Sequence, residues 1–100
     1  MPTPISEQPP ITLDVARHVL WHFGDSNYGQ EPGHFVSRLL VTATSADPEN
    51  LAKLRSVFPE LIGAWEVAAR QPWGIDMLRA LVKAELDGAE QGLDFTAVTA

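Results

Sequence analysis

The sequence predicts an all-α fold, a compact bundle of about five short helices. Three observations lead there. Apolar residues recur three and four positions apart through most of the chain, the spacing that lines one face of a helix. Residues suited to starting or stopping a helix stand at the ends of these stripes. No stretch sustains the apolar–polar alternation of a half-buried strand.

Residues 1–10 hold four of the eight prolines. Proline fixes φ and lacks a donor, so this segment reads as an extended, mobile arm. The first helix starts at Thr12, whose hydroxyl can cap it, and stops at Phe23, with Gly24 free to take the left-handed conformation. Ile11, Val15, Ala16, Val19, Leu20 and Phe23 share its apolar arc, while Asp14, Arg17, His18 and Trp21 fall on the other side. Gly24 to Glu31 is rich in turn formers and reads as a loop. Pro32 suits the first position of the second helix, which buries Phe35, Val36, Leu39, Leu40, Ala43 and Ala46. Asp47-Pro48-Glu49 supplies a cap, a first-position proline and a favourable acid for the third helix. That helix carries Leu51, Leu54, Val57 and Phe58 on one side, with Lys53, Arg55 and Ser56 facing away. Pro59 opens the fourth, with Leu61, Ile62, Ala64, Trp65, Ala68 and Ala69 apolar and Glu66–Arg70 an exposed i,i+4 pair. Gln71-Pro72-Trp73-Gly74 breaks the pattern. The fifth helix spans Ile75 to Leu86 with Gly88 as its stop, closing a helical domain over 11–88. Residues 89–100 read as a loose acidic tail, in which Leu93, Phe95 and Val98 could dock as a short strand. The predicted core centres on Val19, Phe35, Leu39, Leu54, Phe58, Leu61, Trp65, Leu78 and Val82.

Composition removes several function classes. The chain has 100 residues, no cysteine and a net charge of −6. Without cysteine there is no disulfide framework, thiolate metal site or cysteine nucleophile. Residues 1–37 sum to −3, 38–83 to +1 and 84–100 to −4. Phosphate neutralisation needs clustered Lys and Arg, so this distribution argues against a nucleic-acid partner. No apolar run approaches the roughly 18 residues of a membrane span. The first ten residues lack the basic start and apolar centre of a signal peptide. A cytoplasmic protein is expected.

Several segments together resemble one group of proteins. They are Tyr28-Gly29-Gln30-Glu31-Pro32-Gly33-His34-Phe35, Ala46-Asp47-Pro48-Glu49-Asn50 with Leu54, Phe58-Pro59-Glu60-Leu61, and Gly74-Ile75-Asp76-Met77-Leu78-Arg79. The run resembles small uncharacterised proteins of actinobacterial phages and their hosts. It covers residues 28–82 and leaves 1–27 outside. The resemblance implies a setting, a phage or prophage product acting inside an actinobacterial cell, and assigns no functional residue.

Catalytic and metal motifs are not found. No serine lies in a G-x-S-x-G elbow, and the glycines fit neither a phosphate loop nor a dinucleotide fingerprint. His18 and His22 have the four-residue spacing of paired zinc ligands, with Asp14 and Asp25 the nearest additions. That set is incomplete, and a polar helix flank accounts for it. No catalytic residue, cofactor or metal site is therefore assigned. Trp21 lies about 240° around the first helix from Val15, outside the apolar arc. Arg17 sits one turn before it, Tyr28 in the loop and Trp73 in the Pro-Trp-Gly break. Aromatics beside an arginine are typical anchors of protein interfaces, although capping a small core is the commoner role of each. The sequence thus points to a non-enzymatic protein-interaction module, with Trp21, Arg17, Tyr28 and Trp73 as anchors. Two alternatives stay open. One is a helix-turn-helix regulator built on residues 47–70, with Lys53, Arg55 and Arg70 toward phosphate. The other is an assembly component whose ends order on oligomerisation.

Overall fold

The computed structural model describes the backbone of residues 11–99 and side chains through residue 88. Five helices and no strand occur among the described residues: α1 (Leu13–His22), α2 (His34–Ser45), α3 (Pro48–Val57), α4 (Pro59–Arg70) and α5 (Gly74–Thr99). The arm at residues 1–10 lies outside the described residues.

The caps behave as their chemistry dictates. Thr12 Oγ1 accepts from the Val15 amide at 3.4 Å, and Asp47 Oδ1 accepts from that of Asn50 at 2.8 Å. Each meets a donor that the first helical turn cannot satisfy internally. Gly24 has φ of 92° and ends α1. Pro48 and Pro59 both occupy first turns, where a missing N–H costs nothing.

α1 and α4 form the centre. α1 packs on α5, α4 and α2, and α4 also meets α3, α5 and α2. Ala16, Val19 and Leu20 of α1 meet Leu61, Ile62, Ala64, Trp65 and Ala68 of α4. Leu40 and Ala43 of α2, Leu51 of α3, and Leu78 and Val82 of α5 close around them. α3 is attached chiefly to α4, so one flank of the α2–α3 pair stays uncovered.

The structure corrects the sequence reading in several places. α2 begins at His34 with Gly33 as its cap, two residues after Pro32. Pro32 is buried, because the chain is still returning along α1 there, with Gln30 N donating to Arg17 O at 3.0 Å. Phe35, assigned to the core, is 65% exposed, and Val57, placed on the apolar side of its helix, is 66% exposed; Phe23 is exposed as well. Phe35 and Val57 stand at the edge of their stripes, where a ten- or twelve-residue helix gives no second layer to cover them, and Phe23 caps α1 beyond its last helical residue. Ala69 is exposed too. Leu39, Leu54 and Phe58 are half-buried, while Val19, Leu61, Trp65, Leu78 and Val82 are buried as expected.

Gly88 does not stop the last helix, which continues to Thr99, and the stretch that could have formed a strand is helical backbone. An interior glycine costs about 1 kcal/mol relative to alanine but removes no hydrogen bond, unlike proline. The Lys83–Asp87 pair at 2.8 Å also ties the preceding turn. The looseness expected of 89–100 concerns side chains outside the described residues.

Candidate functional site

Two surfaces stand out once the core is accounted for. The first lies where α1 ends. The chain leaves α1 at Phe23, turns through Gly24 and doubles back along the helix it has just left. Asp25 organises this turn. Its Oδ1 accepts from the amides of Asn27 and Tyr28, both at 2.9 Å, and its Oδ2 accepts from Arg79 Nε on α5 at 2.5 Å. The Asp25 side chain is only 4% exposed. The Arg79 guanidinium, with the Tyr28 amide next, holds its carboxyl below the usual carboxylate range despite the opposing effect of burial.

The returning strand of the loop lies so close to α1 that no side chain fits at Gly29. A Cβ there would overlap the Asp25 carbonyl and the Trp21 backbone. This approach brings three of the four sequence-predicted anchors together. Arg17 Nε donates to the Tyr28 carbonyl at 3.1 Å, fixing the guanidinium against the loop. Tyr28 is half-buried against the core, and Trp21, one turn beyond Arg17, is 40% exposed. Trp73 is not part of this cluster. It is 52% exposed in the α4–α5 junction, where its carbonyl accepts from Met77 N at 2.9 Å.

The second surface was missed in the sequence. α2 and α3 diverge from the two-residue connection Ala46-Asp47, leaving an open groove of about 450 Å³. Thr42, Ser45 and Ala46 form one wall; Asn50, Lys53 and Val57 form the other; Leu54 and Phe58 are the floor. Phe35 extends it, its ring meeting that of Phe58 edge-on at 5.8 Å between centroids. The surroundings are chiefly apolar, with Lys53 at one lip. Lys53 pairs with Glu49 at 3.8 Å, but both are largely exposed, so solvent screens the pair. Arg38 stands one turn before Thr42 on α2, exposed, and makes no ion pair among the described residues.

The other candidates resolve differently. His22 Nε2 lies 3.2 Å from Thr44 Oγ1, and burial lowers its pKa. Asp25, the possible third partner of the histidine pair, is turned into the loop and onto Arg79. No group of three His, Asp or Glu side chains gathers among the described residues. Arg55, expected to face away, donates twice to Glu66, at 2.9 and 2.6 Å, and Arg70 approaches the same carboxylate at 3.8 Å. Glu66 is thus a shared partner across α3 and α4, not half of an isolated exposed pair. Its carboxyl is held low by Arg55. Two of the three cations proposed for phosphate are therefore engaged within the fold.

No helix among the described residues is long and apolar enough to cross a membrane. A scan against protein-family models and searches of curated proteins and of solved structures found no match.

Proposed function

We propose that this chain is a non-enzymatic protein-interaction module that works by occupying a surface. The observation that carries this is the α2–α3 groove, where Phe35 and Val57 remain about two-thirds exposed beside an intact core. Large apolar side chains clustered at an open cleft are costly to leave in water, and such patches mark interaction sites. The corner of Trp21, Arg17 and Tyr28 adds a second anchor region. Its guanidinium is already fixed against the loop, which lowers the entropy lost on binding. The resemblance of residues 28–82 supports, as part of this proposal, a cytoplasmic phage or prophage product of an actinobacterial cell whose partner is a host or phage protein.

The helix-turn-helix alternative is weakened by Arg55 and Arg70, whose charge Glu66 already meets. The test is affinity capture from an actinobacterial lysate with the native chain, Val57→Asp and Trp21→Ala. Both variants are expected to melt within a few degrees of the native chain, since both residues are exposed. Val57→Asp is expected to lose the captured protein and Trp21→Ala to reduce it. Capture unchanged in both, or retention of nonspecific DNA that falls steeply with salt, refutes the reading.

A further inference from the structure

α4 is a central helix, yet one face of it stays open. Pro59 and Arg70 are exposed there, and Gly63, Glu66 and Val67 are half-buried. Along this face runs a second groove, of about 440 Å³, which shares no lining residue with the α2–α3 groove. Pro59, Gly63 and Val67, one turn apart, form its floor, and it ends at Gln71. A glycine inside a helix costs about 1 kcal/mol relative to alanine. At Gly74 the overlapping Val67 carbonyl accounts for the glycine. At Gly63 a Cβ would meet nothing within 4 Å, so the chain's own packing does not call for it. A glycine on the floor of an open groove lets a second molecule approach closely.

Four charged residues line this groove, Arg55, Glu60, Glu66 and Arg70, two of each sign. Arg55 and Glu66 engage each other through two hydrogen bonds, at 2.9 and 2.6 Å. Arg70 stands 3.8 Å from Glu66, beyond hydrogen-bond distance, and its side chain is 56% exposed. Glu60 accepts from the Thr12 amide through Oε2 at 2.6 Å and makes no ion pair among the described residues. The charges with capacity to spare are thus a carboxylate at one end of the groove and a guanidinium at the other, about 15 Å apart along the helix.

The positions are symmetric about residue 65. In an antiparallel pair of α4 helices centred there, residue 60 comes opposite 70, 63 opposite 67 and 59 opposite 71. Glu60 of each copy then faces Arg70 of the other, and Val67 of each sits over Gly63 of the other. A twofold axis makes every such contact twice. Ile11 borders the groove at the Glu60 end, next to Thr12, and so meets the Gln71 end of the second copy. A parallel pair would instead set Glu60 against Glu60 and Arg70 against Arg70, which like-charge repulsion disfavours.

We propose that the open face of α4 is a self-association surface, on which a second copy of this chain lays its own α4 antiparallel, with Val67 over Gly63 and Glu60 opposite Arg70. This goes beyond the reading of the α2–α3 groove. The contact leaves that groove free, so a pair of chains presents two of them.

A contact of one helix face is small beside the roughly 800 Å² per partner of a standard interface, so the association is weak. Sedimentation equilibrium of the full chain over a micromolar-to-millimolar series tests it. The native chain is expected to pass from monomer to dimer. Gly63→Leu should weaken dimerisation about tenfold or more without lowering the melting temperature of the dilute chain, because the added side chain enters open space. Glu60→Arg alone sets guanidinium against guanidinium, and Arg70→Glu alone carboxylate against carboxylate, so each should lose the dimer. An equimolar mixture of these two variants should recover it, since both charge contacts across the mixed pair are then of opposite sign. Damage to the fold of either variant would not give that recovery. A native chain that stays monomeric throughout overturns the proposal. So does a dimer that Gly63→Leu and both charge variants leave intact, or a mixture that stays monomeric. The lysate capture is read independently, through Val57 on the other groove.

Discussion

Asp25 is the residue on which the loop between α1 and α2 depends, and replacing it should reveal how much. The native carboxylate closes two backbone amides and holds Arg79 across 54 positions of sequence, from a side chain that is 4% exposed. Arg79 is 46% exposed and can turn to water or to Asp76 when its partner goes. The amides of Asn27 and Tyr28 have less recourse. Hydrogen bonds to a charged group contribute about 1.5–3 kcal/mol each, with losses that overlap when they share one acceptor. Asp25→Ala is therefore expected to cost about 3 kcal/mol, and Arg79→Leu distinctly less. Against a total stability of about 5–15 kcal/mol this is a large fraction. With a urea slope of about 1–3 kcal/mol/M, the unfolding midpoint should fall by about 1–3 M.

Asp25→Asn separates charge from shape, since its carbonyl can still accept from both amides. Because Arg79 lowers the folded pKa of Asp25 below the unfolded value of about 3.9, the stability from its charge is complete above that pH. It disappears as pH falls through the folded value. The gap between the native chain and Asp25→Asn should thus be constant from pH 7 to 5 and shrink below pH 4. Comparing the two at each pH cancels the parallel acid loss from Glu66, whose carboxyl is also held low. An Asp25→Ala midpoint equal to that of the native chain, or a native-to-Asn gap that persists in acid, would refute this account of the turn.

Two glycines of opposite kind give a second check. A Cβ at Gly63, inside α4, would meet nothing within 4 Å, so Gly63→Ala should stabilise by about 0.5–1 kcal/mol; at Gly74 it would overlap the Val67 carbonyl, so Gly74→Ala should destabilise by about 1–3 kcal/mol. Thermal melts that moved both variants in one direction would contradict this. Among the apolar positions, Leu78→Ala should cost about 2–5 kcal/mol and Phe35→Ala under about 1.5 kcal/mol, since the first is fully buried and the second faces the groove. Equal losses in urea unfolding would place Phe35 in the core after all.

The helices were legible because their signals are local. Asp47-Pro48 and Phe58-Pro59 set starts that depend on no distant residue, and each matches the structure. Trp21 was placed outside the apolar arc by the period of the helix alone, and it is exposed. Pro32 misled because a favourable first-position residue cannot report that its own chain is still returning along α1. Asp25 was visible as a turn former, with amides two and three residues on as natural partners. Its burial was not visible, because Arg79 comes from the far end of the chain. Phe35 and Val57 were assigned inward for the same reason. Periodicity says which residues share a face, but not whether another helix arrives to cover it.

That last point separates the two surfaces physically. The Trp21 corner is held by polar bonds of fixed geometry, from Asp25 and Arg17 into one loop. Such a surface is set before any partner arrives and suits recognition by shape. The groove is bounded by α3, which is attached chiefly to α4 and has Leu51 as its one fully buried residue. A helix held so lightly can adjust its distance from α2 at small cost, because few packed contacts change. The Arg55–Glu66 bridge keeps its C-terminal half on α4 while that happens. Breaking this bridge should therefore alter the groove before it alters the corner, although neither partner of the bridge lines the groove.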